Sequence, residues 1–394
     1  MKNIYQNQNL KRTYYTASLI EEKQLIAKLE KRSDVEAKRL KRYMALSDLT
    51  RIEGHPLKVV IDLVINIPSF KQFDIIDTPE IISPDIVFDL FNFPKDHPAR
   101  SASDTYYVDK KHILRPHTSL MWKYYFEIPE VKEQLEKHGS AGALSYGKIY
   151  RRDEIDWQHS NVSHQFDGLF VCKKNIKIIT QTDLEKICLD VTRSLMGNDI
   201  KESFAVDTFP YTDPSIEMNI DWDGKLIEVN GAGIVHPQVL KNLDIDPEIY
   251  TGWAFGFGVD RLAMLKMHIP DIRLLRSTDE RVVEQFKDLN NIYNSVSKYP
   301  PSVRDISFIV DKKSFNLNAY YETVREVVGD DYVEEVEVID KYEDDVKFGK
   351  DKTSYTFRIV YRHLEKTLTN VEVNNLHEKL HDMTEVKYQA VVRK

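Results

Sequence analysis

The chain has 394 residues, 42% of them hydrophobic and 30% charged, a balance typical of a globular protein with two or three domains. Its two cysteines exclude a disulfide framework and a four-cysteine zinc site, and no run approaches the ~18 apolar residues that a membrane helix needs. The formal net charge of −8 excludes a global positive field that would attract nucleic acid.

The first fifty residues are basic, with eleven Lys and Arg against six Asp and Glu. Apolar residues at helical spacing predict helix over 17–48. A basic cluster within it consists of Lys38, Arg39, Lys41 and Arg42. The cluster is typical of a solvated helix face or of a surface that contacts phosphates. The first twenty residues lack acids, as mitochondrial transit peptides do, but hold one Arg and one Ser, so a cleaved peptide stays an open alternative.

The middle of the chain reads as short strands and apolar helices. Residues 148–151 and 166–171 are strand-like and flank a polar stretch, which predicts a long hairpin with a polar tip. Residues 182–196 carry an apolar stripe at helical spacing and predict an amphipathic helix.

A second hairpin is predicted around Asp223-Gly224, a strong two-residue turn signal. This turn pairs Asn219 with Glu228 and Glu217 with Asn230, so all four side chains share one face. Such a carboxylate-bearing face suits Mg²⁺ and phosphate, although an ordinary solvent-facing hairpin has the same pattern.

Residues 255–258, Phe-Gly-Phe-Gly, precede an apolar helical pattern over 259–266. The glycines permit close approach of a ligand, and Arg261 lies near the helix start, where free amides favour anions. Two structural glycines would give the same sequence pattern.

The last hundred residues predict a separate module. Strands are expected at 306–310, 333–342, 354–361 and 386–392, with helices at 318–328 and 371–383. This βαββαβ order is that of a ferredoxin-like unit, and Lys298-Tyr-Pro-Pro301 marks the linker before it. The acidic run 330–340 argues against phosphate binding at that edge.

Several motifs occur in the same order as in one enzyme family. They are Phe93–Arg100, Leu114–Ser119, Gly147–Asp153, His164–Asp167, Phe209–Pro214, Glu228–Pro237 and Trp253–Arg261 with Ile269–Leu274. Together they resemble the phenylalanine–tRNA ligases, in particular the single-chain mitochondrial type. The C-terminal module resembles the anticodon-binding domain of that family through Lys298-Tyr-Pro, Arg304–Ser307 and Tyr361-Arg-His.

The resemblance implies an α+β fold: a class II synthetase antiparallel sheet flanked by helices, followed by a ferredoxin-like domain. The expected domains are a basic helical N-terminal extension (1–54), the catalytic domain (55–290) and the anticodon-binding domain (291–394). The implied reaction joins L-phenylalanine to tRNA(Phe) through a phenylalanyl-adenylate, with ATP and Mg²⁺ as the other requirements. Deletion of 298–394 is then expected to impair tRNA charging far more than adenylate formation.

The resemblance also assigns the ATP residues. Arg151 would bridge the amino-acid carboxylate and the α-phosphate, and Arg261 would hold the γ-phosphate. The remaining nucleotide residues are Asp153, His159 and Gly258, with Glu228 and, more weakly, Glu217 for Mg²⁺.

The amino-acid pocket carries over in the same way. The residues near the ammonium group are His117, Ser119, Gln165 and Asp167. Phe209 and Tyr211 would wall the ring, with Ala254 and Gly256 at its floor.

Three positions depart from the family pattern. Asp167 and Asp260 each replace a Glu, and Ser163 replaces a Phe that stacks on adenine. These departures keep two alternatives open: a diverged paralogue that activates a phenylalanine-like amino acid for another acceptor, and an inactive tRNA-binding regulator.

The expected partners are L-phenylalanine and tRNA(Phe), with no membrane and no hydrolytic editing site. The single-chain relatives act as monomers, and we expect a monomer. The acidic charge favours the cytoplasm, and the mitochondrial matrix is the alternative compartment.

Overall fold

The computed structural model describes residues 11–17, 20–296 and 299–393, so Lys298 of the expected linker lies outside the described residues. These residues form two compact units. The first comprises the described residues up to 150 together with 162–268 and 286–292, and the second comprises 151–161, 269–285 and the described residues from 293 onward. The expected boundaries at 54 and 290 stay predictions.

The first unit contains most of the strands and helices. The strands are β1 (Tyr14–Thr16), β2 (Asp74–Asp77), β3 (Ile81–Ile82), β4 (Tyr107–Asp109), β5 (His112–Leu114), β6 (Ser140–Tyr150), β7 (Val162–Lys173), β8 (Glu202–Phe209), β9 (Thr212–Trp222), β10 (Lys225–Val235) and β11 (Tyr250–Gly258). The helices are α1 (Ile20–Glu30), α2 (Val35–Ala45), α3 (Pro56–Val64), α4 (Pro84–Val87), α5 (Met121–Phe126), α6 (Pro129–His138), α7 (Gln181–Met196), α8 (Pro237–Asn242) and α9 (Val259–Met267).

An eight-stranded sheet organises this unit, in the order β1-β2-β6-β7-β11-β10-β9-β8. The pairs β1–β2 and β2–β6 are parallel, and all the others are antiparallel. This confirms the expected antiparallel sheet with flanking helices. The predicted long hairpin is β6–β7, and the predicted amphipathic helix is α7, which begins with a capping box between Thr180 and Asp183.

Strand β11 alternates large and small residues, and this alternation separates the two faces of the sheet. Its large residues, Trp253, Phe255 and Phe257, join rings from β7 in an aromatic layer; the centroids of Phe166 and Phe255 are 5.5 Å apart. Helix α7 covers this face further along the sheet, where Cys188 contacts Asn230. The small residues of β11 therefore lie on the opposite face, which carries the candidate site.

The described part of the N-terminal segment shares a core with this unit. Strand β1 adds a parallel edge to the sheet, and α1 and α2 pack with residues of β3, β5, β6 and β7. The predicted helix over 17–48 is two helices, because the turn before Val35 ends in Asp34, whose carboxylate caps α2.

The structure also separates the members of the basic cluster. Arg39 is buried and paired with Glu36, and the ammonium group of Lys41 donates to the carbonyls of Glu30 and Arg32. Lys38 and Arg42 are exposed. A phosphate-contacting surface on α2 stays a prediction, and the contacts reduce its exposed members to two.

The second unit contains the C-terminal module. Its elements are α10 (Glu280–Val283), β12 (Ser302–Asp311), α11 (Leu317–Val328), β13 (Val333–Tyr342), β14 (Lys352–Tyr361), α12 (Asn370–Tyr388) and β15 (Val391–Arg393). The sheet order β13-β14-β12-β15 confirms the ferredoxin-like unit, with the acidic strand β13 at an edge. The last strand was predicted to begin at 386, but α12 continues to Tyr388 and leaves only three residues for β15.

Among the described residues, no helix has the length and apolar character needed to cross a bilayer.

Candidate functional site

The face of the sheet opposite the aromatic layer has a floor of glycines between two functional groups. Across neighbouring strands, Asp167 pairs with Gly256, Gly256 with Gly231, and Gly231 with Glu217. Directly paired residues share a face, so one row runs from a buried carboxylate over two glycines to a second carboxylate. Gln165 and Gly258 form the next pair along the strands. Gln165 Oε1 is buried and has no hydrogen-bond partner among the described residues.

Asp167 is 1% exposed, and two hydroxyl groups hold its carboxylate. The hydroxyls of Thr118 and Ser119 donate to Oδ2 at 2.5 and 3.1 Å. Oδ1 lies over Gly256, where a Cβ atom would approach to 2.4 Å. Gly256 is therefore needed to leave room for the carboxylate, and the carboxylate faces the glycine floor.

Aromatic rings bound the other side of the floor. The rings of Phe209 and Tyr211 stack with centroids 5.5 Å apart and an interplanar angle of 3°. Phe209 covers Gly231, because a Cβ atom there would lie 2.8 Å from its ring. Phe91 packs edge-on against Tyr211 and against His117, at 5.7 and 5.5 Å. The floor thus lies between a carboxylate and a pair of aromatic rings, with Ala254 buried on the same strand as Gly256.

The β9–β10 hairpin turns at Asp223-Gly224 as predicted, with φ values of 51° and 81°. The predicted pair of Asn219 with Glu228 is confirmed. The predicted pair of Glu217 with Asn230 is wrong, because a β-bulge after Glu228 shifts the register by one residue.

The bulge changes which residues face the site. Asn230 pairs with Met218 on the buried face, is 3% exposed, and donates to Cys188 Sγ at 3.1 Å. Gly231 takes its place opposite Glu217. Glu217, Asn219 and Glu228 keep a common face, where the Asn219 amide donates to Glu217 at 3.0 Å. These are hard oxygen donors, the chemistry that Mg²⁺ prefers.

Arg261 lies in the first turn of α9, directly after the end of β11. Its Nη1 donates to the carbonyl of Glu228 at 2.8 Å. The structure therefore brings the predicted γ-phosphate arginine to the strand that bears the predicted Mg²⁺ ligand. The free amides of the helix start add to the attraction for an anion.

Arg151, Asp153 and His159 lie on the loop 151–161, which belongs to the second unit. The amide of Arg151 donates to the carbonyl of Asn161 at 3.1 Å and closes the base of the loop. Asp156 accepts from the ring of His159 at 2.7 Å and from two backbone amides. Burial alone would raise the pKa of Asp156, but these bonds hold it below its ordinary value. The convergence of Arg151 with Arg261 stays a prediction.

The loop 151–161 is packed into the ferredoxin-like domain. Ile155 is 6% exposed within the hydrophobic core of that domain, and its carbonyl accepts from the amide of Val336 on β13. The guanidinium of Arg325 donates to the carbonyls of Asp153 and Glu154 at 2.8 and 2.6 Å. Asn161 bonds to the buried Glu322. Side chains more than 160 residues away along the chain thus hold this loop.

A possible metal-ligand cluster on this loop consists of Glu154, Asp156 and His159. One ligand atom from each lies within 4.8 Å of the others, and Glu154 is exposed. The bonds within the loop account for Asp156 and His159, so we assign no ion to this cluster.

Two residues of the site were not predicted. Thr118 makes the shorter bond to Asp167, and it lies inside the predicted motif between His117 and Ser119, so the motif itself was the available signal. Gly231 follows Asn230 in another predicted motif, but only the bulge brings it to the site face.

Comparison with known proteins adds two family matches. The family described as tRNA synthetases class II core domain (F) matches residues 42–286. The family described as ferredoxin-fold anticodon binding domain matches residues 297–393. The first match includes the site face and the loop 151–161.

Individual relatives agree with these matches. The chain is 34% identical over 352 residues to the mitochondrial phenylalanine–tRNA ligase of Mus musculus, covering 80% of this chain and 74% of the relative. It is 35% identical over 362 residues to the chloroplastic/mitochondrial phenylalanine–tRNA ligase of Arabidopsis thaliana, covering 88% and 80%. The phenylalanine–tRNA ligase alpha subunit of Clostridium perfringens is 38% identical over 244 residues, covering 59% and 68%.

Proposed function

This chain belongs to the phenylalanine–tRNA ligase family of class II synthetases, and from that premise we propose that it joins L-phenylalanine to tRNA(Phe) at the expense of ATP. In the first step the amino-acid carboxylate attacks the α-phosphorus and pyrophosphate leaves. In the second step a ribose hydroxyl of the tRNA attacks the adenylate carbonyl and AMP leaves. Neither step needs a protein nucleophile, so positioning and charge stabilisation carry the catalysis.

The observation that carries this proposal is the glycine floor between Asp167 and the Phe209–Tyr211 stack. A buried carboxylate at one end suits an ammonium group, and rings at the other end suit a phenyl ring. The hydroxyls of Thr118 and Ser119 keep the shorter Asp167 arm directed toward the floor. His117 and Gln165 complete the polar end of the pocket, and Ala254 and Gly256 leave space for the ligand.

In this proposal the nucleotide lies against the hairpin and the start of α9. Arg261 and Gly258 hold the γ-phosphate end, while Arg151 bridges the carboxylate and the α-phosphate during attack. Asp153 and His159 hold the remainder of the nucleotide. Each arginine contributes by neutralising charge that grows on the phosphates as the new bond forms.

Mg²⁺ fits the donors on this face. Glu228 and Glu217 would hold it, with Asn219 beside them as a further oxygen donor. When bound, the ion supplies charge neutralisation to the triphosphate. The chain's own residues then orient the reacting groups and exclude water from them.

Phenylalanine-dependent exchange of pyrophosphate into ATP tests the proposal. We expect exchange with phenylalanine and far weaker exchange with tyrosine, because stacked aromatic rings bound that end of the pocket and burying a ring hydroxyl against them is costly. Absence of exchange with every amino acid in a panel of close analogues would contradict the proposal. Preference for another analogue would favour the paralogue alternative. No observation on the described residues supports that alternative.

Thr118→Val tests the polar end of the pocket, and Thr118→Ser is its matched control. The valine has the same shape but cannot donate to Asp167, so the KM for phenylalanine is expected to rise about tenfold. The serine keeps the hydroxyl and should stay within about twofold of the wild type. A KM that stays normal in Thr118→Val but rises in Thr118→Ser would show that Thr118 acts by shape rather than by its hydrogen bond.

We also propose that the chain works as a monomer with tRNA(Phe) as its partner.

The organellar names of the mouse and Arabidopsis relatives support the mitochondrial matrix rather than the cytoplasm that the charge suggested. Fractionation of cells that express the full chain would test this. Recovery in the cytosol alone would contradict the organellar assignment.

A further inference from the structure

A buried polar chain leads from the segment 48–51 to the residue beside Arg261. His164, on β7, is 0% exposed, and Asp260, in the first turn of α9, is 4% exposed. The ring Nδ1 of His164 lies 2.9 Å from Asp260 Oδ1, and the His164 backbone amide donates to Asp260 Oδ2 at 2.5 Å. One histidine therefore binds both oxygens of one carboxylate.

The other ring nitrogen of His164 fixes the direction of these bonds. The backbone amide of Leu49 donates to His164 Nε2 at 3.2 Å, so Nε2 must carry a lone pair. The ring proton is then on Nδ1 and points to Asp260. Leu49 thus selects the tautomer that donates to the carboxylate.

The segment that supplies Leu49 is itself held firmly to the sheet. Lys148 on β6 donates to the carbonyls of Met44 and Leu46 at 3.0 and 2.9 Å. Arg51 lies over the ring of Tyr146 at 4.1 Å and donates to its carbonyl. These bonds place the Leu49 amide at a fixed position against β6 and β7.

The hydrogen bonds that hold the Asp260 carboxylate also set the direction of the Arg261 side chain. Successive residues of a helix are turned by about 100° around its axis, so fixing the Asp260 side chain against β7 directs Arg261 elsewhere. Arg261 reaches β10, where it donates to the Glu228 carbonyl. The N-cap of α9 is Gly258, which has no side chain that could cap the helix, and the His164–Asp260 pair is a polar anchor of this helix start.

We propose that His164 and Asp260 are positioning residues that aim Arg261 at the triphosphate, and that the Leu49 amide sets the required His164 tautomer. This inference rests on the proposed function. It assigns a part in ATP binding to residues before 54, a segment that is expected from its sequence to be an extension outside the catalytic domain.

Asp260→Asn is the first test. The amide group can accept from only one of the two His164 donors, so the helix start should lose one bond and Arg261 its fixed direction. We expect the KM for ATP in pyrophosphate exchange to rise about tenfold, with the KM for phenylalanine within about twofold of wild type. A general loss of folding would not separate the two substrates in this way.

Two substitutions of His164 separate the bond that its Nδ1 makes to Asp260 from the bond that its Nε2 accepts from Leu49. In His164→Asn the side-chain NH₂ group can occupy the position of Nδ1 and still donate to Asp260. In His164→Gln the side-chain NH₂ group reaches only the position of Nε2. We expect the KM for ATP to stay within about threefold of wild type in His164→Asn and to rise about tenfold in His164→Gln. Equal values in the two variants would overturn the proposal.

The Arg261→Ala background provides a further control. If Asp260 acts through Arg261, Asp260→Asn should change the KM for ATP by less than about twofold once the arginine is absent. The same factor in both backgrounds would overturn the proposal. If Asp260→Asn does not fold, His164→Gln carries this comparison.

ATP binding gives a second readout that needs no amino acid. The shift of the thermal unfolding midpoint by ATP should be smaller in His164→Gln than in His164→Asn. Wild-type protein that binds ATP but shows no phenylalanine-dependent exchange would count against the proposed function alone. Equal ATP-induced shifts in the two variants would count against the positioning role.

Discussion

The strand–helix junction that carries Arg261 and the loop that carries Arg151 draw their support from different parts of the chain. Arg261 follows Asp260, which is bound by His164 inside the same unit. The loop of Arg151 is packed by Ile155 into the core of the ferredoxin-like domain. Two groups proposed to hold one triphosphate are thus stabilised separately.

This difference changes the expected role of the C-terminal domain. From the sequence, deletion of 298–394 should impair tRNA charging far more than adenylate formation. In the structure this deletion would expose Ile155 and remove Arg325, which binds the carbonyls of Asp153 and Glu154. We now expect the deletion to lower adenylate formation as well as charging, so single substitutions are the sharper tests.

The largest effect is expected from removal of either arginine. Arg151→Ala and Arg261→Ala should each lower kcat/KM for ATP in phenylalanine-dependent exchange by about 10²–10³-fold, because each removes charge stabilisation from the phosphates. Arg281→Ala is the control, since Arg281 is 58% exposed and paired with Asp279. If Arg281→Ala lowered kcat/KM as much as either variant, the loss could not be assigned to a contact of Arg151 or Arg261 with ATP.

Ile155→Asp is expected to disturb the loop 151–161 and to leave the β11–α9 junction with Arg261 intact. A carboxylate at this buried position would cost on the order of several kcal/mol, so the loop should leave the domain core. We expect exchange to fall about tenfold and proteolytic cleavage within 151–161 to increase. Val346→Asp, at a position 96% exposed in the same unit, should change neither. Normal exchange in Ile155→Asp would mean that the loop functions without its packing.

Arg325→Met is a milder test of the same support. Methionine keeps much of the volume but loses the bonds to two loop carbonyls, and the KM for ATP should rise about threefold to fivefold. Arg358→Met removes an exposed ion pair with Asp305 in the same domain and is expected to leave the KM unchanged. If both variants behave alike, the effect belongs to the charge of the domain and not to the loop contacts.

The smallest expected effect is a pH dependence confined to the C-terminal domain. Burial, with the nearby charges of His381 and Arg304, lowers the pKa of His377 to about 4, while Tyr361 and the carbonyl of Asp305 bond to its ring. The unfolded chain, with a histidine pKa of about 6.5, then binds a proton that the folded domain does not. Stability from this group is complete above pH ~6.5 and is lost as the pH falls toward 4.

Hydrogen exchange in the full chain checks this pH dependence. After correction for intrinsic rates, the amides of α12 should lose protection between pH 7 and pH 5, and those of α9 should not. His377→Gln should abolish the difference. An equal loss of protection in that variant would assign the pH dependence to other groups.

Local patterns predicted most of the fold. The Asp223-Gly224 turn, the capped helix α7 and the strand–glycine–helix order at 255–266 are set by neighbouring residues, and each is found. The misplaced details depend on other contacts. Whether α12 ends at 383 or at 388 depends on its packing, which propensity does not report.

The bulge after Glu228 shows why the site was harder to predict than the fold. A one-residue shift exchanges the two faces of a strand, so Asn230 became a buried partner of Cys188 and Gly231 became part of the floor. Nothing in the alternation of residues 225–230 signals this extra residue. The packing of Ile155 had no local signal either, because the other buried residues of that core lie more than 150 residues later in the chain.

The most direct test of the central claim is a crystal structure of the full chain with phenylalanine and a non-hydrolysable ATP analogue. We predict that the guanidinium groups of Arg151 and Arg261 both lie about 3 Å from phosphate oxygens, with phenylalanine on the floor between Asp167 and Phe209. A bound triphosphate that either arginine fails to reach would contradict the account.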